Sequence, residues 1–192
     1  ITALVAILIP ALGMGYAVYA QRTAMSIPPI HDISTDLSDP PTFSPEQLTA
    51  RGPEANSVDL AANRVPAEWS NSAFADQLTT DIQREHYADI APLPLGVSAE
   101  EAYAIAQEAA RAQGWVITAE QAPSATQEGR IEASVTSFWF GFVDDVVVRV
   151  RATPQGSVID VRSTSRVGLS DLGANAKRVR AFSAAVMERL SG

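Results

Sequence analysis

Apolar and polar residues alternate with a period of two through much of the second half of the chain, the pattern of strands with one buried face. Four such runs stand out: Trp115 to Glu120, Arg130 to Trp139, Phe142 to Thr153 and Ser157 to Val167. Helical spacing brackets them. Ahead of the strands, Ala102, Ile105, Ala106 and Ala109 recur on one stripe, Ser98 and Glu101 form a capping box, and Gly114 supplies the stop. Behind them, Val179, Phe182, Val186 and Leu190 line one side of a helix from about Leu172 to Leu190. With two-residue turns at Phe140-Gly141 and Gln155-Gly156, Val135 faces Val146, Ala133 faces Val148, Ile131 and Val161 face Val150, and Ala152 faces Ile159. Both registers send the apolar side chains to one face, which the two helices cover. The expected fold is α+β: a two-layer sandwich of a four-stranded antiparallel sheet with two helices on one face.

The first half reads differently. Ile1 to Ala20 carry no charge, and Gln21 and Arg22 end the run. Twenty helical residues rise about 30 Å, the thickness of a bilayer's hydrocarbon core. Residues 1–22 are therefore expected to form an N-terminal transmembrane helix. A secretory signal peptide and a buried soluble helix are the rivals: the first has a shorter apolar core, and Pro10, Gly13 and Gly15 would interrupt the second. Residues 23–97 hold nine of the twelve prolines and read as a long irregular Pro-rich strap packed on the domain, with a short helix around Ser70 to Arg84. Ile33, Leu37, Phe43, Leu48, Trp69, Phe74, Tyr87 and Ile90 make it too apolar for a disordered linker. Residues 98–192 form the sandwich core.

Composition narrows the function classes. The net charge of −8 argues against a nucleic-acid partner. It also favours a periplasmic position, because an anionic inner leaflet repels an acidic domain. The expected location is the cell inner membrane, with a single visible span. No cysteine is present, so disulfides are excluded.

The registers place charges in rows on the second sheet face: Glu132 beside Arg149 and Arg162, Thr136 beside Asp145 and Arg166, and Arg130 beside Arg151 and Asp160. One reading is a salt-bridge ladder, solvated or covered by the strap. Another is a face that binds an anionic metabolite, a lipid headgroup or an acidic partner, since arginine's planar fork suits carboxylate and phosphate. Phe138, Trp139, Phe140 and Phe142 crowd a hairpin tip and are candidates for contact with the strap, a partner or a membrane interface. Alternation turns Trp139 and Phe142 toward the helices. Ser170 and Asp171 stand where a helix N-cap belongs. Gly168-Leu169-Ser170-Asp171-Leu172-Gly173 lacks the second glycine of a nucleophile elbow, and His31 and His86 both precede Ser170. Asp144 and Asp145, as strand neighbours, point to opposite faces and cannot share a metal ion without a bulge. Asp32, Asp36 and Asp39 read as turn formers rather than cation ligands. No catalytic residue, metal ligand or cofactor is assigned.

Several strings occur together: His31-Asp32-Ile33-Ser34-Thr35-Asp36 before Asp39-Pro40-Pro41, Gln83 to Tyr87 with Asp89-Ile90, Phe140 to Val146, Val148 to Arg151, Asp160 to Ser163, and Ser165 to Gly168 with Ser170-Asp171, Gly173, Asn175 and Arg178. In these the chain resembles the family called domain of unknown function 1499. The resemblance implies that the strap, the charged sheet face and the Ser170–Arg178 corner belong to one unit. It implies no activity, catalytic residue or cofactor. The expected function is a membrane-anchored, non-enzymatic accessory subunit that docks on a larger membrane protein complex, of respiratory or photosynthetic type, with the lipid bilayer as its other partner. The alternatives are the anion-binding module and a hydrolase using Ser170.

Overall fold

The computed structural model describes residues 14–15, 27–67, 73–137 and 141–191. Its centre is a six-stranded, wholly antiparallel sheet: β1 (Asp32–Ser34), β2 (Leu93–Leu95), β3 (Val116–Gln121), β4 (Gly129–Thr136), β5 (Val143–Thr153) and β6 (Gly156–Ser165). The order is β1-β6-β5-β4-β3, and β2 also pairs with β6, end to end with β1. The expectation of four strands is thus corrected to six. The two additional strands come from the strap and are three residues each, too short to show a period in the sequence.

Four helices accompany the sheet: α1 (Pro45–Arg51), α2 (Thr79–His86), α3 (Ala99–Ala112) and α4 (Ala174–Ser191). The last two lie on the apolar face. Ser98 Oγ accepts from the Glu101 amide and starts α3. Ala102, Ala106, Ala109 and Ala110 let that helix approach closely, and Phe182 of α4 stacks on Trp115 at 5.1 Å. Beneath them Ile131, Ala133, Val146, Val148, Val150, Ile159 and Val161 are buried.

Both hairpin registers differ from expectation by two residues. Val135 pairs with Asp144 and Ala133 with Val146, because Ser137 and Phe142 make the last bonds before the first connection. Val150 pairs with Ile159, and Thr153 with Gly156, so Pro154-Gln155 is the second turn. Gly156 is needed beside that turn: its φ is +137°, and a Cβ there would lie 2.2 Å from the Leu95 carbonyl oxygen. A shift of two keeps every side chain on its face but changes its neighbours. Arg149 therefore opposes Asp160, not Arg162.

The strap fills a third layer, on the charged face. Within it, the Gln83 side-chain amide accepts from Ser34 N–H at 3.1 Å and donates to Ser34 C=O at 2.6 Å, closing the outer edge of β1 as a strand would.

Among the described residues no helix is long and apolar enough to cross a membrane. The transmembrane helix and the single-span inner-membrane location expected from residues 1–22 are corrected accordingly. Of that segment, only Met14 and Gly15 lie among the described residues.

Candidate functional site

Two regions hold the residues singled out by the sequence, and they are built in opposite ways. The first is the charged sheet face. Asp145 on β5 saturates both carboxylate oxygens. Oδ1 accepts from Gln47, Ser134 and Arg166, and Oδ2 accepts from Arg51 and Arg166, at 2.6–2.9 Å. Gln47 and Arg51 project from α1, so this carboxylate pins the strap helix to the sheet. Arg162 on β6 forms a bidentate pair with Asp32, 2.9 and 2.6 Å, and donates to the Pro41 and Val58 carbonyls. Glu132 on β4 accepts from both the amide and the hydroxyl of Ser44, the N-cap of α1. Arg149 and Arg151 share Asp160, and both reach Asp36 and Asp39 of the strap.

Almost all of this is buried: Asp32, Glu132, Asp145, Arg149, Asp160 and Arg162 are inaccessible or nearly so, while Arg151 and Asp39 mark the rim. Burial would raise the Asp145 carboxyl, but the hydrogen bonds and charge of Arg166, with Ser134 and Arg51, hold it below the usual carboxylate range. Asp36 is likewise held low: its own burial is outweighed by the Asp39 and Ser38 amides and by Arg149 and Arg151. The Asp36 carboxylate closes an Asx turn through Ser38 and Asp39 N–H, at 3.0 and 2.9 Å. The guanidinium groups of Arg149, Arg162 and Arg166 thus face carboxylates and the strap, not solvent.

Asp144 and Asp145 part company as strand neighbours must. Asp145 faces the strap, while Asp144 bonds Arg178 of α4 at 2.6 Å on the helix side. Among the described residues no group of three His, Asp or Glu side chains is placed to hold a metal ion.

The second region is the end of the sheet where β5 begins and β6 finishes. Here residues 166–173 form a loop with three left-handed positions, Gly168 (φ +89°), Leu172 (φ +53°) and Gly173 (φ +83°). For leucine this conformation costs about 1–2 kcal/mol. Dense bonding holds it. Asp171 accepts from Gly173 and Asn175 N–H, each at 2.7 Å, and its own N–H donates to Ile30 C=O. Ser170 Oγ accepts from Leu172 N–H. Asn56 donates to the Gly168 and Ser165 carbonyls, and the His31 imidazole meets the Leu169 carbonyl. Buried Asn175 ties α4 to β6 and to His31 C=O, accepting from Ser163 and Arg178 and donating to Ser165.

Burial is the main influence on three groups at this corner. It pushes the Asp171 carboxyl above its ordinary value despite the two amide donors and Arg178. It pushes the Tyr87 hydroxyl up. It pulls the His31 imidazole down, against the raising influence of Asp32, Leu169 and Asp171, and His31 Nε2 is buried without a protein partner.

What the loop presents outward is apolar. Val167, Leu169 and Leu172 are 49%, 38% and 61% exposed, and Phe142 beside them is 53% exposed. Arg166 N–H donates to Val143 C=O, which carries the β5–β6 register on to set Phe142 opposite Val167. Phe142 therefore does not turn into the helices as alternation implied. Phe138, Trp139 and Phe140 lie outside the described residues. Sequence reasoning names Ser170 and Asp171 but misses Val167, Leu169 and Leu172. The cue is three apolar residues in a Gly- and Ser-punctuated loop, where solvated loops are polar.

An open groove of about 450 Å³ runs between Asp89–Pro94 and α4. Its charged groups are already matched, Asp89 gripping Arg180 at 2.5 and 2.7 Å.

A family model described as "Protein of unknown function (DUF1499)" matches residues 32–186, and the chain belongs to that family. Comparison with curated proteins gave no match. Among solved structures, the chain is similar at 12% identity to the di-domain ARO/CYC StfQ from the steffimycin biosynthetic pathway. The alignment covers 63% of this chain and 64% of that one, with a TM-score of 0.26. The chain thus spans under two thirds of that structure's length, and a likeness this weak carries no argument.

Proposed function

We propose that this member of the DUF1499 family is a non-enzymatic accessory subunit that docks on a larger protein assembly through the loop end of its sheet. The observation that carries the reading is a backbone held in left-handed conformations by buried hydrogen bonds while it holds Leu169 and Leu172 in solvent. Strain at a well-determined loop is a pointer to function, because a loop with no task relaxes. Apolar side chains grouped on a rigid surface are the usual centre of a protein–protein contact. The charged face supports the same reading from the other side, since its arginines are spent on internal carboxylates.

Native sizing of the tagged full chain in extract of its own cells tests this. The parent chain is expected well above the monomer position, and a Leu169→Asp, Leu172→Asp double variant at the monomer position. A monomeric parent, or a variant that keeps the larger size, overturns the reading.

A further inference from the structure

The place where the N-terminal segment meets the domain deepens the docking reading, on which this inference rests. Ile27, the first residue of the continuous described chain, packs at Gly173: a Cβ built there would lie 3.9 Å from Ile27 Cγ2. The uncharged stretch Ile1 to Ala20 therefore joins the domain at the same end that exposes Val167, Leu169 and Leu172. Its two described residues do not cover that end. Met14 is helical and 70% exposed, and Gly15 has nothing within 4 Å of a built Cβ. An uncharged segment and an apolar loop thus leave the domain from one end.

We infer that the two form one docking surface, and that its occupant is a protein with an uncharged apolar face that contacts the segment and the 167–172 loop together. Charge and rigidity choose a protein over a lipid surface. Polybasic recognition of anionic lipid uses clusters of about four to eight Lys or Arg. At this end Arg166 and Arg178 are tied to Asp145 and Asp144, which leaves Lys177 as the exposed cation of the α4 start. The whole chain carries −8. A loop pinned in a strained shape also gains nothing from a fluid surface, whereas a shaped pocket rewards pre-organisation.

The cysteine-free chain makes the test direct. Met14→Cys, Leu172→Cys and, at the opposite end of the sheet, exposed Ala125→Cys are each labelled with a benzophenone maleimide on the full chain. Each is then mixed with extract of its own cells and irradiated. Expected is an adduct with one and the same protein from positions 14 and 172, identified by mass spectrometry, and none from 125. Adding Leu169→Asp to either labelled chain is expected to lower that adduct roughly tenfold or more, the loss typical of an anchor residue. An adduct from 172 but not 14, or different proteins at the two, sinks the shared surface and leaves the docking reading standing. No protein adduct from 172, adducts with lipid alone, or equal yield from 125 sinks both.

Discussion

The charged sheet face and the loop end invert the usual arrangement of a globular domain. One buries ionised groups, and the other exposes leucine beside a strained backbone. On the charged face each guanidinium meets a carboxylate from a different stretch of chain: Arg162 on β6 with Asp32 on β1, Arg51 on α1 with Asp145 on β5. These pairs fasten the strap to the sheet, so their work is done within the fold. At the loop end the buried polar groups (Asp171, Asn175, His31) hold up a surface whose apolar tips have no task within the described fold. The contrast separates charge used for assembly of the chain from apolar area kept for something outside it.

The largest expected effect breaks the first half of that contrast. Asp145→Ala leaves Arg51 and Arg166 buried without their carboxylate and strips Gln47 and Ser134 of an acceptor. Removing one partner of a buried ion pair costs about 3–5 kcal/mol. Urea unfolding of the variant should show a loss of that order, with early proteolysis in the 36–60 strap. A loss under about 1 kcal/mol would place these charges with ordinary surface ion pairs.

Next comes the loop. In the Leu169→Asp, Leu172→Asp double variant, unfolding in urea should move by no more than about 0.5 kcal/mol, as at solvated positions. Association should weaken by about 2 kcal/mol or more, as at an interface anchor. Should stability collapse instead, the two leucines are holding the fold together and the contrast fails.

The two regions should also answer acid with opposite signs. Asp145 and Asp36 have folded-state values below the unfolded one, so their stabilisation is present above the ordinary carboxylate range and is lost as pH falls through the lowered values. Asp171 is raised. Its contribution is fully present below the unfolded value and is lost as pH rises through the folded one. Acidification should therefore destabilise the domain, while Asp171 works against that loss. In Asp171→Asn the opposing contribution is gone. The fall in stability from about pH 6 toward about pH 3, followed by thermal melts, should then steepen. An unchanged slope would remove Asp171 from the account.

How much of the fold is legible in the sequence depends on the length of each pattern. The eleven residues of β5 and ten of β6 repeat their alternation often enough to declare both faces, and Ser98 announces α3. Rows on the charged face escape sequence reading because register depends on turn choice. Pro154-Gln155 makes the turn, and Gly156 is reserved for its approach to Leu95, so Arg149 lands beside Asp160. The strap is the least readable part. Asp32–Ser34 is a strand because β6 and the Gln83 amide flank it, neither of which is near it in sequence. Leu172 hides for a related reason: a left-handed leucine has no local signature and exists through bonds supplied by Ile30, Asn175 and Asn56.

That leucine gives the smallest and sharpest test. Leu172→Gly relieves the left-handed strain, since glycine adopts φ near +53° freely. It removes a side chain that is mostly in solvent. The strain, about 1–2 kcal/mol, exceeds the usual entropic penalty of glycine, about 0.5–1 kcal/mol, so the variant should be as stable as the parent or up to about 1 kcal/mol more stable. Association should fall at the same time. Stability and docking moving in opposite directions under one substitution is the signature of a conformation kept for its partner. If both fall together, Leu172 is packing rather than display, and the loop end belongs with the charged face as part of the scaffold.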